Sequence, residues 1–234
     1  MAVVSKGGLP LGERTQGDRI RSMNGVLFSF EGIDGSGKTT QVGMLADSLR
    51  ARGHVVDCLR EPGGTPLGER VRGLLLDPSD EPPVPLAELL LFSAARAQIV
   101  QTRVLPALAR GEVVILDRFH DATFAYQGFG RNLSIEAILA LEGIAAGISP
   151  HRTWLLDVPL EVAASRRGGR GGGSDRMEAE AEAFRERVRT GYLERAANVP
   201  DRIRVVDASE SPEAIGREIL SDALQILGKA GSAS

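Results

Sequence analysis

The chain has 234 residues, 28 of them lysine or arginine and 31 aspartate or glutamate, for a formal charge of −3. That length supports one large α/β domain or two small ones, and the balance exerts no bulk pull toward nucleic acid or an anionic membrane. The single cysteine, Cys58, excludes an internal disulfide framework and a zinc pattern, and no apolar run approaches the roughly 20 residues of a membrane span or resembles a secretory leader. A single domain in a reduced, cytoplasmic setting is expected, and any anionic ligand has to be gripped locally.

Residues 1–25 are rich in glycine and charge and show no periodicity, so they are expected to be a disordered extension ahead of a domain spanning 26–228. The first apolar run, VLFSFE (26–31), fits a strand. It leads into EGIDGSGKTT, where Gly32, Gly37, Lys38 and Thr39 satisfy G-x-x-x-x-G-K-[ST] ahead of a helix expected over 40–52. Glycines at those places let the backbone turn its N–H groups inward, and the helix start adds positive dipole. Lys38 then reaches the β and γ phosphates, and Thr39 can ligate Mg²⁺. The expected ATP cradle is therefore Gly32, Ile33, Asp34, Gly35, Ser36, Gly37, Lys38 and Thr39. Asp34 stands out, as an acid inside a loop made for anions.

Further along, HVVDCLR (54–60) reads as a strand in which Cys58 is expected to be a buried structural thiol. Helix signals follow over 66–76 and 85–110. The run VVILD (113–117) is a strand ending in Asp117, the kind of acid that sits near Mg²⁺ at a neighbouring strand tip in P-loop proteins. A helix over 134–146, a strand over 153–158 and a helix over 159–167 lead to the glycine-rich patch RRGGRGGGSDR. A helix over 177–197, a strand over 203–208 and a helix over 211–227 complete the domain, and residues 229–234 are expected to be a frayed tail. Five apolar strands alternating with helices predict a P-loop NTPase fold: a three-layer α/β/α sandwich with a five-stranded parallel sheet buried on both faces. His54, His120 and His151 are read as surface or loop residues without a catalytic role.

A phosphate cradle specifies the donor and leaves the acceptor open. A guanine-reading Asn-Lys-x-Asp is missing from the sequence, and so is the early second lysine of partitioning ATPases. Kinase chemistry remains. The stretches REPGGTPLGERVR, LLLFSAARAQ and DRFHDATFAYQGFGR supply arginines and aromatics suited to a nucleotide, with Phe92 and Arg96 four apart on one helix face.

With EPGGT, FSAAR and AYQG in order behind the cradle, the chain resembles the thymidylate kinase family from about residue 26 to 227. The resemblance implies phosphorylation of dTMP to dTDP by ATP with Mg²⁺, and a homodimer. It implies no nucleic-acid or membrane partner. For dTMP it implies Asp34, Glu61, Arg72, Phe92, Arg96, Arg118, Thr123, Tyr126 and Gln127. Phe92 would stack on the base and Arg96 would bond its carbonyl edge; Arg72 and Arg118 would hold the acceptor phosphate, with Glu61 nearby. Thr123 and Gln127 would read the N3–H and carbonyl edge, and Tyr126 would close on the sugar. Asp34 would face the acceptor's 3′-hydroxyl. The family often has serine where Thr123 stands, and Tyr or His where Phe119 stands.

The glycine-rich patch corresponds to a mobile lid at about 166–177. Since residues 33–36 contain no base, the lid is expected to supply the transition-state charge, led by Arg170 with Arg166 and Arg167 as alternatives. The catalytic set is then Lys38, Arg118, Arg170 and Asp34, and the metal set is Thr39, Asp117 and Glu178. A kinase of another deoxynucleotide or deoxynucleoside, or a non-catalytic nucleotide-binding regulator, stands as the alternative.

Overall fold

The computed structural model describes residues 23–78, 81–168, 176–177 and 180–231. Five strands, β1 (Val26–Glu31), β2 (Val56–Arg60), β3 (Val113–Asp117), β4 (Arg152–Asp157) and β5 (Ile203–Asp207), form one parallel sheet in the order β2-β3-β1-β4-β5. The sequence alternation along the central strands separates two apolar layers. Val26, Phe28, Phe30, Val113 and Ile115 point into one, and Leu27, Val114 and Leu116 into the other. Trp154 lies between Phe28 and Phe30, with ring centroids 5.0 and 5.1 Å away, and its indole donates to Asp222 at 2.9 Å. This is the expected three-layer architecture.

Burial on both faces holds for β1, β3 and β4 but fails at the sheet edges. In β2 only Leu59 is buried, and in β5 only Ile203 and Val206. Cys58 is accordingly exposed, against the expectation of a buried thiol, with the Arg50 guanidinium 3.7 Å from its sulfur. An edge strand has one neighbour, and its apolar run cannot reveal that position.

Helices α1 (Lys38–Arg50) and α2 (Pro66–Leu76) follow β1 and β2. Thr65 caps α2 by accepting from Gly68 N at 2.9 Å, with Pro66 in the first turn. The single helix expected over 85–110 is instead α3 (Pro85–Ile99), a π turn (Val100–Val104) and α4 (Leu105–Ala109). Pro106 lacks the N–H that an α ladder needs, and the wider turn ahead of it absorbs the defect.

After β3 the chain forms α5 (His120–Thr123) and a second π segment (Phe124–Gly130), where no helix was expected, and then α6 (Ile135–Ala145). The π segment packs on α8 (Glu182–Asn198) at Gly191, where a Cβ would come within 2.8 Å of the Phe129 ring. Buried Asp121 adds a polar anchor, accepting from Arg195 at 2.8 Å and from Arg202 at 2.6 Å. His120 is 2% exposed, correcting its reading as a surface residue; its Nδ1 lies 3.4 Å from Asp121. Helices α7 (Leu160–Gly168) and α9 (Pro212–Gly231) complete the layers.

Both termini of the domain extend further than expected. Gly25 N donates to Leu108 O at 3.0 Å and Met23 packs on the second apolar layer, so residues 23–25 belong to the folded unit; residues 1–22 lie outside the described residues. Helix α9 runs on through 229–231. Among the described residues no helix is long and apolar enough to cross a membrane.

Candidate active site

All five strands point the same way, so the loops at their C-terminal ends share one edge of the sheet, where α/β proteins bind ligands. The loop from β1 to α1 is the phosphate cradle. Gly35 has φ +90°, and a Cβ there would stand 2.3 Å from Ala163 O, so only glycine lets the loop pass α7. Lys38 is buried and donates to the carbonyls of Gly32 and Ile33, 3.0 Å each. Burial, helped by the positive charge of Arg118, pulls its pKa down to about 8. Register pairs Phe30 with Asp117, which brings the Thr39 hydroxyl to donate to Asp117 Oδ2 at 2.7 Å.

Two cavities open on this edge. The larger, about 620 Å³, is lined by Asp34, Gly35, Gly37, Lys38, Thr39 and Asp117 among others. The smaller, about 140 Å³, is lined by Phe92, Thr123, Tyr126, Gln127 and Met177. Asp34, Glu61, Arg72 and Arg118 line both.

The shared wall is densely hydrogen-bonded. Arg118 sits at φ +70°, a left-handed conformation that costs a non-glycine residue about 1 kcal/mol or more and clusters at functional sites. Its N–H bonds Phe30 O at 2.9 Å, and its guanidinium donates to Gly32 O at 2.8 Å, to Tyr192 OH at 3.0 Å and to Asp34 Oδ1. Tyr126 OH donates to Asp34 Oδ2 at 3.2 Å. Burial alone would raise the Asp34 pKa, but Arg118 and Lys38 outweigh it and hold the carboxyl well below the usual range. Two residues the sequence did not single out support the wall. Glu31 accepts from Phe119 N at 2.7 Å and from Tyr192 OH at 2.9 Å, and burial, together with nearby Asp121, pushes its pKa up to about 8.

Arg72 donates to Pro62 O at 2.9 Å from α2. Arg96, only 2% exposed, lines neither cavity. Its guanidinium donates to Glu61 Oε2 at 2.8 Å, Thr123 Oγ1 at 2.9 Å and Phe119 O at 3.2 Å. Buried Glu61 needs a countercharge, so in this structure Arg96 organises two lining residues and makes no approach to the cavity itself. Phe119 is fully buried; its backbone takes these hydrogen bonds, and its ring lies under the Arg96 guanidinium, 5.6 Å from centroid to Cζ.

Glu88, unremarked in the sequence, lies four residues before Phe92 on the same face of α3. It is completely buried and accepts from Gln127 at 2.8 Å, from Arg131 and from Arg176. The i, i+4, i+8 series Glu88, Phe92, Arg96 is the signal that could have found it.

Of the expected lid, Arg166 donates to Ala208 O at 2.8 Å, beyond the end of β5, and lines neither cavity. Arg170, Glu178 and the side chain of Arg167 lie outside the described residues. Arg176 docks on α2, its N–H on Leu76 O at 3.0 Å and Nε on Leu75 O at 2.8 Å.

For a metal, the Thr39 hydroxyl and Asp117 carboxylate offer hard oxygen donors at the larger cavity. Among the described residues no three His, Cys, Asp or Glu side chains converge into a cage. Such a set fits a cation that keeps waters and phosphate oxygens as its other ligands.

Comparison with known proteins finds relatives of one family. A family model described as thymidylate kinase matches residues 30–219. A thymidylate kinase of Pseudomonas putida (strain GB-1) is 51% identical over 198 residues, covering 84% of this chain and 94% of that protein. One from Citrifermentans bemidjiense is 47% identical over 219 residues, covering 90% and 97%. The crystal structure of thymidylate kinase from Ehrlichia chaffeensis superposes with a TM-score of 0.69 at 32% identity, over 85% of this chain and 98% of that one.

Proposed function

Because the chain belongs to the thymidylate kinase family, we propose that it transfers the terminal phosphoryl group of ATP to dTMP, giving dTDP, with the larger cavity as donor seat and the smaller as acceptor seat. The observation that carries this reading is the common wall: Asp34, Glu61, Arg72 and Arg118 face both cavities, so two nucleotides seated there meet at one place.

The acceptor is a phosphate oxygen, already anionic near neutral pH, so the reaction needs alignment and charge neutralisation more than a base. Gly32, Ile33, Asp34, Gly35, Ser36, Gly37, Lys38 and Thr39 form the donor loop, in which Lys38 leaves its two loop carbonyls for the phosphates of ATP. Arg118 and Arg72 hold the dTMP phosphate, and a bidentate guanidinium is suited to that task. Asp34, ionised between Arg118 and Tyr126, orients the acceptor sugar without opposing the cradle. Phe92 packs on the base, and Thr123 and Gln127 read its edge. Arg170, Arg166 and Arg167 are retained as the lid arginines.

A divalent cation accompanies ATP in this reading. We take it to be Mg²⁺, held by Thr39 and Asp117 with Glu178 near, where it would withdraw charge from the transferring phosphate oxygens. An enzyme drawing on ATP and dTMP is placed in the cytoplasm.

Release of ADP with dTMP, dUMP, dCMP, dGMP and thymidine as acceptors tests the assignment. The fastest turnover is expected with dTMP; preference for thymidine, or turnover with none of the five, would overturn it. We further propose a homodimer, supported by exposed Leu86 and Leu90 on α3 and by Leu139 and Ile144, the last 83% exposed, on the adjoining α6. Sedimentation at micromolar protein is expected to give twice the chain mass, and a monomer mass would remove the dimer.

A further inference from the structure

Two buried charges stand behind the smaller cavity, one on each side of the residues that read the base. Glu88 accepts from Gln127 Nε2 at 2.8 Å, from Arg131 Nε and Nη2 at 3.2 Å each, and from Arg176 Nη2. Burial would raise its pKa, but Arg131, Arg176 and Gln127 together hold it below the ordinary glutamate value. An ionised carboxylate only accepts, so Gln127 has to turn its NH₂ toward Glu88. That turns the carbonyl oxygen Oε1 away from Glu88, to where it can face a ligand. Arg96 acts with opposite sign. A guanidinium only donates, so Thr123 Oγ1 has to accept from it at 2.9 Å, which uses one lone pair and leaves the hydroxyl its O–H to donate and one lone pair beside it.

The cavity thus presents the Gln127 oxygen, turned by Glu88 to accept, beside a Thr123 hydroxyl that can donate, and both residues line it. A thymine or uracil edge carries N3–H beside a carbonyl and is complementary. A cytosine edge carries N3 as an acceptor beside an amino donor, the reverse arrangement, and would leave buried polar groups facing like partners. We propose that Glu88 is a specificity-positioning residue: by fixing the direction of the Gln127 amide opposite the Arg96-fixed Thr123 hydroxyl, it makes the pocket select imide pyrimidines over cytosine. This inference rests on the seating of dTMP in the smaller cavity given above. Sites that pair a substrate polar group reject an analogue lacking it by ~10⁴-fold or more, so the stake is large.

The test is Glu88→Gln, measured as kcat and KM for dTMP and dCMP. The amide introduced by that substitution would keep its oxygen toward Arg131 Nη2 and Arg176 Nη2 and place its NH₂ where Oε1 stood, giving up the Arg131 Nε contact there and reversing the Gln127 amide in turn. The expected result is a dTMP-to-dCMP ratio of kcat/KM lower by about 100-fold, carried by KM for dTMP, with KM for ATP unchanged. The double variant Glu88→Gln with Gln127→Glu restores an acceptor facing the cavity while conserving net charge, and is expected to recover most of the ratio. An unchanged ratio in the single variant overturns the proposal. So does an equal loss for both nucleotides that the double variant fails to recover, since that assigns Glu88 to the fold alone. The wild-type acceptor panel keeps the two readings apart: if it fails to prefer dTMP the seating is wrong, and if it prefers dTMP while the variant keeps the ratio, only the role of Glu88 is wrong.

Discussion

The two nucleotide seats proposed for this enzyme are built by opposite means. The donor cradle is one contiguous stretch, Gly32 to Thr39, whose working groups are mostly backbone and whose geometry is set by a single strand–loop–helix unit. The acceptor pocket draws Glu61, Arg72, Phe92, Thr123, Tyr126 and Gln127 from separate stretches of chain, and its working groups are side chains held by buried Glu88 and Arg96. A backbone cradle is fixed wherever its unit folds. A side-chain pocket is only as exact as the packing of α2, α3 and the π segment against one another, so recognition of the acceptor should be the property that distant substitutions disturb first.

Asp34→Asn probes the contrast most strongly, because Asp34 lies in the cradle by sequence yet belongs to the acceptor side by its contacts. It removes one partner of the ion pair with Arg118, and kcat/KM for dTMP is expected to fall by about 30-fold or more, with KM for ATP within about threefold of wild type. Comparable losses for both substrates would place Asp34 in the donor machinery and erase the division. A smaller effect separates the sides by pH. Lys38 has its pKa lowered to about 8 in the free enzyme, while ATP needs the charged form, so binding competence is full below that pH and declines as pH rises through it. The pH profile of kcat/KM reports free-enzyme groups, so kcat/KM for ATP at pH 9 is expected to be about 10-fold below its value at pH 7. On the acceptor side, Asp34 is held far lower and Arg118 far higher than this range. With ATP saturating, kcat/KM for dTMP should therefore change less than that over the same interval, the one wall group that titrates within it being Glu31, at about 8 and set behind Arg118 through Tyr192.

The same contrast explains what could be read from the sequence. VLFSFE and VVILD were legible to the residue as strands, because central parallel strands are apolar on both faces, and the cradle was legible because its chemistry is local. Cys58 was misread because an edge position is a property of sheet order, which no single strand encodes. The helical turns after His120 carry no 3.6-residue pattern; they are held by α8, some sixty residues away, through Gly191 and the Asp121 ion pairs. Arg96 was singled out as a base-contacting residue, but its partners Glu61 and Thr123 lie on other elements, so its place behind the pocket wall emerged only from the fold. Glu88, Glu31 and Tyr192 were missed for the same reason: a buried acid or phenol is informative only once its neighbours are known.

The packing of Gly25 against Leu108 bears on how the enzyme can be handled. It fixes the entry of the chain at the N-terminal end of β1, and the cradle leaves from the other end of that six-residue strand, about 20 Å away at roughly 3.3 Å per residue. A fusion partner, affinity tag or surface linker joined ahead of Met23 therefore approaches from the side of the sheet opposite both nucleotide seats. Immobilised by that end on a bead or sensor chip, the protein presents its cleft to the solution.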